Sequence, residues 1–379
     1  MGITEGKKRS NIAYISSFRS LRRGGQISLW NLLSRIDRTK YDPLLICPER
    51  GDLFLKALEL NIPTEVIIIP SIRPWTIVSS LRAISRLRRI CIDKRIKIFH
   101  VDDARQVIYL SILKAFFKFN IIWHIRVSWS NILVDNICYR LSDRIICTAG
   151  NIAKKFGNKS NFKIKVKLVY NAVDCAFFRE PVPNNDYKAR FGIKESDIVL
   201  GFLARLDPVK GLHFLIEALV LIKKVYPEIK LIIIGDGKDR YKNELKEMAR
   251  RFNLEISVIF TGFQTDVRPF LSMLDLSILP TAEFEGSSRS ILEAMASGVP
   301  VLATDIGGNA ELVENGSTGI IITKPKPELI AQEAIKLLKD KERLGKMSEK
   351  ALQRVFQKFD ISQNIKLTEE IYESLLNGK

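Results

Sequence analysis

Residues 198–235 read IVLGFLARLDPVKGLHFLIEALVLIKKVYPEIKLIIIG. The two outer runs, IVLGFL (198–203) and KLIIIG (230–235), are rich in Ile, Val and Leu without clean alternation. That pattern predicts strands buried on both faces of a parallel sheet. Between them HFLIEALVLIKKV (213–225) has helical spacing, so the segment reads as strand, crossover helix, strand.

The same alternation runs outward in both directions. Towards the N-terminus the strand candidates are NIAYIS (11–16), PLLIC (43–47), TEVIII (64–69), KIFHV (97–101), IIWHI (121–125), RIICT (144–148) and KLVY (167–170). Towards the C-terminus they are VIFTG (258–262), LSILP (276–280), PVLAT (300–304) and GIIIT (319–323). Amphipathic stretches such as RYKNELKEMARRF (240–252) and SILEAMASG (290–298) fill the gaps. The expected fold is α/β, with two Rossmann-like doubly wound parallel sheets. The Pro- and Asn-rich stretch EPVPNND (180–186) marks the break. The expected segments are a first domain over 1–178, a linker over 179–197, a second domain over 198–357 and a terminal helix over 358–379.

A chain of 379 residues suits two domains, and 46% hydrophobic with 27% charged residues excludes wholesale disorder, collagen repeats and a disulfide miniprotein. Charge is uneven. Residues 1–180 hold 32 basic and 14 acidic side chains, whereas residues 181–379 hold 28 of each, so the whole net charge of +18 lies in the first half. Such a field suggests an anionic partner there: nucleic acid, a membrane surface or a phosphorylated substrate. Cys47, Cys91, Cys138, Cys147 and Cys175 are odd in number and widely spaced, which points to a reducing compartment and small buried thiols. Ile12 to Phe18 is too short for a secretory signal. Val107 to Ile125 is interrupted by Lys114, Lys118, Asn120 and His124, and reads as a buried helix then a buried strand, not a membrane span.

Chemistry concentrates between residues 201 and 319. Arg205, Lys210 and Gly211 stand between a strand end and a helix start, where cations, backbone N–H groups and the helix dipole favour an anion. The plainer alternative pairs Arg205 with Asp207 in a solvated loop. Farther on, TAEFEGSSRSILEAMASGVPVLATDIGGNAELV places Glu285 before a helix and Glu293 in its second turn. Carboxylates suit vicinal hydroxyls, and Gly286, Ser287 and Ser288 offer N-terminal amides to an oxyanion. Gly307 and Gly308 follow a strand, where backbone can approach a ligand closely. Taken together these describe a nucleotide-sugar pocket.

The R-x4-K-G element (Arg205, Lys210, Gly211), the E-x7-E element (Glu285, Glu293) and the GG-x2-E element (Gly307, Gly308, Glu311) occur in order. In these the chain resembles the retaining glycosyltransferases of family 4, of the "glycosyl transferases group 1" type. The resemblance implies the GT-B architecture, two Rossmann-like domains facing a central cleft. It implies that Arg205 and Lys210 neutralise the donor diphosphate, that Glu293 binds the ribose hydroxyls and that Glu285 holds a hydroxyl of the transferred sugar. The turns Gly235-Asp236-Gly237 and Thr261-Gly262-Phe263 match segments lining the base pocket, with Gly235 and Gly262 beside the donor. SFRSLRRGGQISL matches the glycine-rich loop after the first strand, whose Gly24 and Gly25 amides approach the donor; Gln26 departs from many relatives. In IIWHIRVSW, His124 matches the histidine that faces the donor sugar, and His100 ends the preceding strand. Ser287-Ser288-Arg289 departs from the glycine-and-aromatic or Leu-Pro of many relatives, so Arg289 reads either as a contact to a charged donor or as a surface helix residue. The tail FDISQNIKLTEEIYESLLN (359–377) resembles the helix that crosses back to the first domain.

The implied reaction is retaining, metal-independent transfer of a hexosyl group from a UDP- or GDP-linked donor to an acceptor hydroxyl, with no cofactor beyond that substrate. No D-x-D tripeptide occurs in the chain. Fixed cations aimed at the departing diphosphate lower the barrier without solvent reorganisation. The excess charge of the first half then belongs to the acceptor side. WTIVSSLRAISRLRRICIDKRIK (75–97) sets Leu81, Ile84, Leu87 and Cys91 on one helical face, with Arg82, Arg86, Arg88 and Arg89 around it. Those arginines are expected to meet an anionic membrane surface or a lipid-linked acceptor at the inner face of the cytoplasmic membrane, in building an envelope polysaccharide or lipopolysaccharide-type glycan. Basic-aromatic recognition motifs and zinc-finger spacing are absent, which argues against nucleic acid. The rival readings are a catalytically idle GT-B subunit and a basic nucleic-acid- or membrane-binding protein.

Overall fold

A computed structural model describes residues 9–128, 131–183 and 185–378. Residues 1–8 and 379 of the expected first and last segments, Trp129 of the His124 segment and Asn184 of the expected linker lie outside the described residues. The chain divides into two compact units, residues 1–169 with 364–379, and residues 170–363.

The first unit is built on β1 (Ser10–Ile15), β2 (Tyr41–Cys47), β3 (Thr64–Val66), β4 (Ile98–Val101), β5 (Asn120–Ile125), β6 (Arg144–Cys147) and β7 (Val166–Leu168). The second holds β8 (Val199–Leu203), β9 (Lys230–Ile234), β10 (Val258–Gly262), β11 (Leu276–Leu279), β12 (Val301–Thr304) and β13 (Gly319–Ile322). The sheet orders are β3-β2-β1-β4-β5-β6-β7 and β10-β9-β8-β11-β12-β13, and the paired strands are parallel. Each apolar run of the sequence holds one of these strands, because helices cover both faces and leave residues such as Ile12, Leu45, Leu231 and Ile278 without exposure. TEVIII yields only three strand residues. At this sheet edge Ile68 turns outward ahead of Pro70, which has no N–H for a ladder.

Strand order reverses between β1 and β4 in the first sheet and between β8 and β11 in the second. In open α/β sheets ligands gather outside the strand C-termini at such a reversal. Register places Tyr14 opposite His100 and His100 opposite Ile122, so His124, two residues on, shares the face of His100.

Two helices of the first unit bear on the expected site. Ile77–Lys94 packs Ala83, Leu87, Ile90 and Cys91 inward, with Ile84 half-buried. Leu81 was expected on that stripe, yet it is exposed, because at about 100° per residue it falls on the opposite side from Leu87 and Ile90. The helix Ile361–Leu376 contributes residues 364 onward to the first unit. There Tyr372 is fully buried edge-on to Tyr41, with 5.7 Å between ring centroids. Glu369 Oε1 accepts the Asp37 N–H at 2.9 Å, and Glu373 pairs with Lys40 at 3.0 Å.

Candidate active site

In the second unit the loops after β8, β11 and β12 are laced together. Asp207 caps the turn Pro208–Lys210, accepting the Val209 N–H at 3.2 Å, and Ala282 donates its N–H to the Val209 carbonyl at 2.8 Å. Gly211 has a φ of +72°, and a Cβ there would lie 1.9 Å from the Pro280 carbonyl oxygen, so only glycine lets these loops touch. The Lys210 ammonium is thereby delivered onto the Glu285 carboxylate, with both side chains largely buried. Glu285 Oε1 also accepts the Gly286 N–H at 3.1 Å.

Gly307 packs against the Glu285 backbone. Its φ is +66°, and an added Cβ would be 2.5 Å from the Glu285 carbonyl oxygen. Gly308 then donates its N–H to the Gly286 carbonyl at 2.6 Å. Glu311 of the same element accepts the Tyr170 hydroxyl at 2.8 Å. Gly235 and Gly262 meet through an N–H···O bond of 2.9 Å, and Leu206 donates to the Asp236 carbonyl at 2.9 Å, which brings both turns beside the Arg205 segment. Arg205, Lys210, Gly235, Gly262, Glu285, Gly286, Gly307 and Gly308 therefore share one edge of the second sheet.

The cations are not bare. Arg205 pairs with Asp207 at 2.8 Å in a part-exposed loop, the plainer arrangement foreseen for it. Arg289 is neither a surface residue nor unpaired: its side chain is 11% exposed and binds Glu293, 12% exposed, at 2.8 Å. Helical i,i+4 spacing makes that pair, and the inward face of the helix Arg289–Ala296 buries it. Arg289 also donates to the Ala172 carbonyl at 3.2 Å. Ser287 and Ser288 are buried at the N-terminus of that helix, Ser288 at the cap position.

In the first unit Gly24 and Gly25 open the helix Gly24–Leu33, so the expected loop has already become a helix N-terminus there. A Cβ on Gly25 would be 3.0 Å from Arg126 Cδ. His124 is the last residue but one of β5 and is buried; its Nδ1 lies 2.9 Å from His100 Nε2, and His100 Nδ1 lies 2.6 Å from the Tyr372 hydroxyl. Burial, aided by the Arg126 charge, pushes His100 down to about 3 and His124 well below the ordinary histidine range. Arg82, Arg86, Arg88 and Arg89 are exposed on the helix Ile77–Lys94, and Arg89 meets Asp93 at 3.4 Å.

Sequence reading did not find Asp102, Arg126 or Tyr372. Asp102 follows β4 and accepts the Ser17 hydroxyl at 2.6 Å, the Ser17 N–H at 3.1 Å and a Gln26 amide N–H at 3.3 Å. Burial pushes its carboxyl up, against the pull of Ser17 and Arg126. The usable signal was position: Asp102 and Arg126 each follow directly on a strand C-terminus beside the order reversal.

Comparison with known proteins agrees with this geometry. Residues 22–177 match the description "Glycosyltransferase Family 4" and residues 183–354 match "Glycosyl transferases group 1". The chain is similar to the lipopolysaccharide core biosynthesis mannosyltransferase LpsB of Rhizobium meliloti (strain 1021), 28% identical over 65% of this chain and 69% of that one. It is 31% identical to the N-acetyl-alpha-D-glucosaminyl L-malate synthase of Bacillus anthracis over 56% of each chain, so the match spans little more than half of that relative. Among solved structures, the Anabaena protein HepE in complex with UDP superposes with a TM-score of 0.83 at 22% identity, over 96% of this chain and all of that one. With both halves matched, the fold shared and the three motif elements gathered on one sheet edge, the chain belongs to the family 4, group 1 glycosyltransferases of GT-B architecture.

Proposed function

We propose that this protein is a retaining glycosyltransferase that moves a hexosyl group from a nucleoside diphosphate sugar, UDP-linked in the first instance and GDP-linked as the other candidate, to the hydroxyl of a lipid-linked or envelope glycan. The observation that carries the reading is the paired placement of Lys210 on Glu285 and Arg289 on Glu293 along one strand-end edge. Lys210 has three donors and spends one on Glu285, leaving two for a phosphate oxygen. Glu285 keeps lone pairs for a sugar hydroxyl, and Glu293 for a ribose. As the sugar–phosphate bond breaks, charge grows on the departing diphosphate. Cations already held in place by carboxylates meet that charge without reorganising. Arg205, which has more N–H donors than the one given to Asp207, adds a second cation. Gly24, Gly25 and His124 are the further residues proposed for donor contact.

The acceptor side is proposed to work at the inner face of the cytoplasmic membrane. Ile72, Trp75, Ile77, Val78 and Leu81 are each more than half exposed. Arg73, Arg82, Arg86, Arg88 and Arg89 accompany them, with no acid between Glu65 and Asp93. Apolar residues led by a tryptophan and ringed by arginines suit an anionic bilayer interface. No helix among the described residues is long and apolar enough to cross a membrane. Cosedimentation with phosphatidylglycerol vesicles should be strong at low salt, weaken as salt rises and fall with Trp75→Ala; no binding at low salt sinks the membrane role.

The reaction is tested by a thermal-shift and hydrolysis panel of UDP-glucose, UDP-galactose, UDP-N-acetylglucosamine and GDP-mannose, with the released anomer followed by NMR. Glu285→Ala and Lys210→Ala should each lower turnover by about 10²-fold or more. Unchanged turnover in both removes the site assignment.

A further inference from the structure

His100, His124 and Tyr372 form a chain of hydrogen bonds with a direction, and the direction decides what His124 presents to a ligand. Both imidazoles are neutral, since burial keeps the protonated forms out of reach near neutral pH. Each ring then has one N–H and one bare nitrogen. The His100 Nε2···His124 Nδ1 contact of 2.9 Å needs one proton, and so does the Tyr372 Oη···His100 Nδ1 contact of 2.6 Å. Only two arrangements satisfy both. Either Tyr372 donates to His100, His100 donates to His124, and the His124 proton sits on Nε2; or every bond is reversed and His124 Nε2 is bare.

The contact distance selects the first arrangement. A heavy-atom distance of 2.6 Å lies within the range of an O–H donor and below the usual range of an N–H donor to oxygen.

We propose that Tyr372 and His100 are positioning residues that lock His124 in its Nε2–H form, so that His124 meets its ligand as a hydrogen-bond donor and not as a base. His124 is 6% exposed, and its Nε2 has no hydrogen-bond partner among the described residues. A buried N–H without an acceptor calls for an explanation, and an oxygen of a bound ligand supplies one. That this oxygen belongs to a nucleotide sugar rests on the function proposed above; the tautomer does not. The lock is remote in sequence, since Tyr372 arrives from the helix Ile361–Leu376.

The chain has three histidines, His213 being the third, so ¹⁵N-histidine labelling of the full-length protein gives a readable long-range ¹H–¹⁵N spectrum. His100 and His124 are both expected to show a protonated Nε2 and a bare Nδ1 at pH 7. A protonated Nδ1 on His124 in the wild type overturns the proposal. His100→Gln keeps the polarity, because the amide oxygen accepts from Tyr372 and the amide N–H donates to His124, so His124 should stay Nε2–H. His100→Glu accepts from both sides and should move the His124 proton to Nδ1. Tyr372→Phe removes the proton source, and averaged ¹⁵N shifts on His124 are expected; a spectrum identical to wild type takes Tyr372 out of the lock. The functional half is read separately. The KM for UDP-glucose hydrolysis should rise roughly tenfold in His100→Glu, the scale of one hydrogen bond to the sugar, and return towards wild type in His100→Gln. A reversed tautomer with an unmoved KM means that His124 does not touch the donor, which is a failure of the functional reading and not of the lock.

Discussion

Replacing Arg289 by Met tests whether the Arg289–Glu293 pair is a buried electrostatic unit or an incidental surface contact. Met keeps most of the apolar stem and removes the guanidinium, with its 2.8 Å bond to Glu293 and its 3.2 Å bond to the Ala172 carbonyl. Both side chains keep only about a tenth of their surface in water, so the carboxylate left behind is nearly as uncompensated as one in a core. Breaking a buried pair from one side costs roughly 3–5 kcal/mol, and the residual exposure puts this pair at the lower end, about 3 kcal/mol. Glu293→Gln should cost about 2 kcal/mol, because Arg289 retains the Ala172 carbonyl. Once one partner is gone the other has little left to lose. The double variant should therefore cost about 3 kcal/mol, short of additive by about 2 kcal/mol. Urea titration of the full chain measures all of these, read on the transition that carries the second unit. Single losses that add to the double within about 0.5 kcal/mol would refute the argument, since uncoupled charges cannot form a buried pair.

Gly307→Ala should destabilise the second unit by about 2 kcal/mol or more: a left-handed alanine alone costs about 1–2 kcal/mol, and its Cβ also meets the Glu285 backbone. A thermal unfolding midpoint equal to wild type contradicts that. Turnover should survive exhaustive EDTA treatment; transfer that returns only when Mn²⁺ or Mg²⁺ is added would show that the fixed cations do not suffice. All five cysteines are buried, and burial raises Cys91 to about 11 and Cys47, Cys138, Cys147 and Cys175 to about 12. A disulfide reagent at pH 8 should therefore titrate few thiols in the native protein and all five after denaturation.

The strands were legible because burial on both faces forces continuous apolar runs, a property local to each segment. RIICT and LSILP need nothing else to be recognised. The phosphate-side residues were legible as a spacing, Arg205 to Gly211 and Glu285 to Glu293. Their partners were less so. The Lys210–Glu285 contact joins residues 75 positions apart, and Tyr372 reaches His100 across 272. No periodicity carries such information. Arg289 and Glu293 illustrate another limit: their i,i+4 spacing was in plain view, but whether that side of the helix faces water depends on segment 170–173, which supplies the Ala172 carbonyl. Leu81 failed for a related reason. Both sides of the helix Ile77–Lys94 carry apolar residues, so spacing alone cannot say which side packs on the sheet.

The first unit is assembled from two stretches of chain, with the whole of residues 170–363 made between them. At about 5–20 residues per second, a ribosome spends roughly 10–40 s on that intervening segment. Throughout that interval a nascent first sheet already has Tyr14, Tyr41 and His100, while Tyr372, which covers them, has yet to be synthesised. The second unit is contiguous and has every strand it needs before residue 364 appears. It can finish folding first, although its sequence begins later. Until residue 372 is made, nothing from the C-terminal stretch is available to cover that aromatic face of the first sheet.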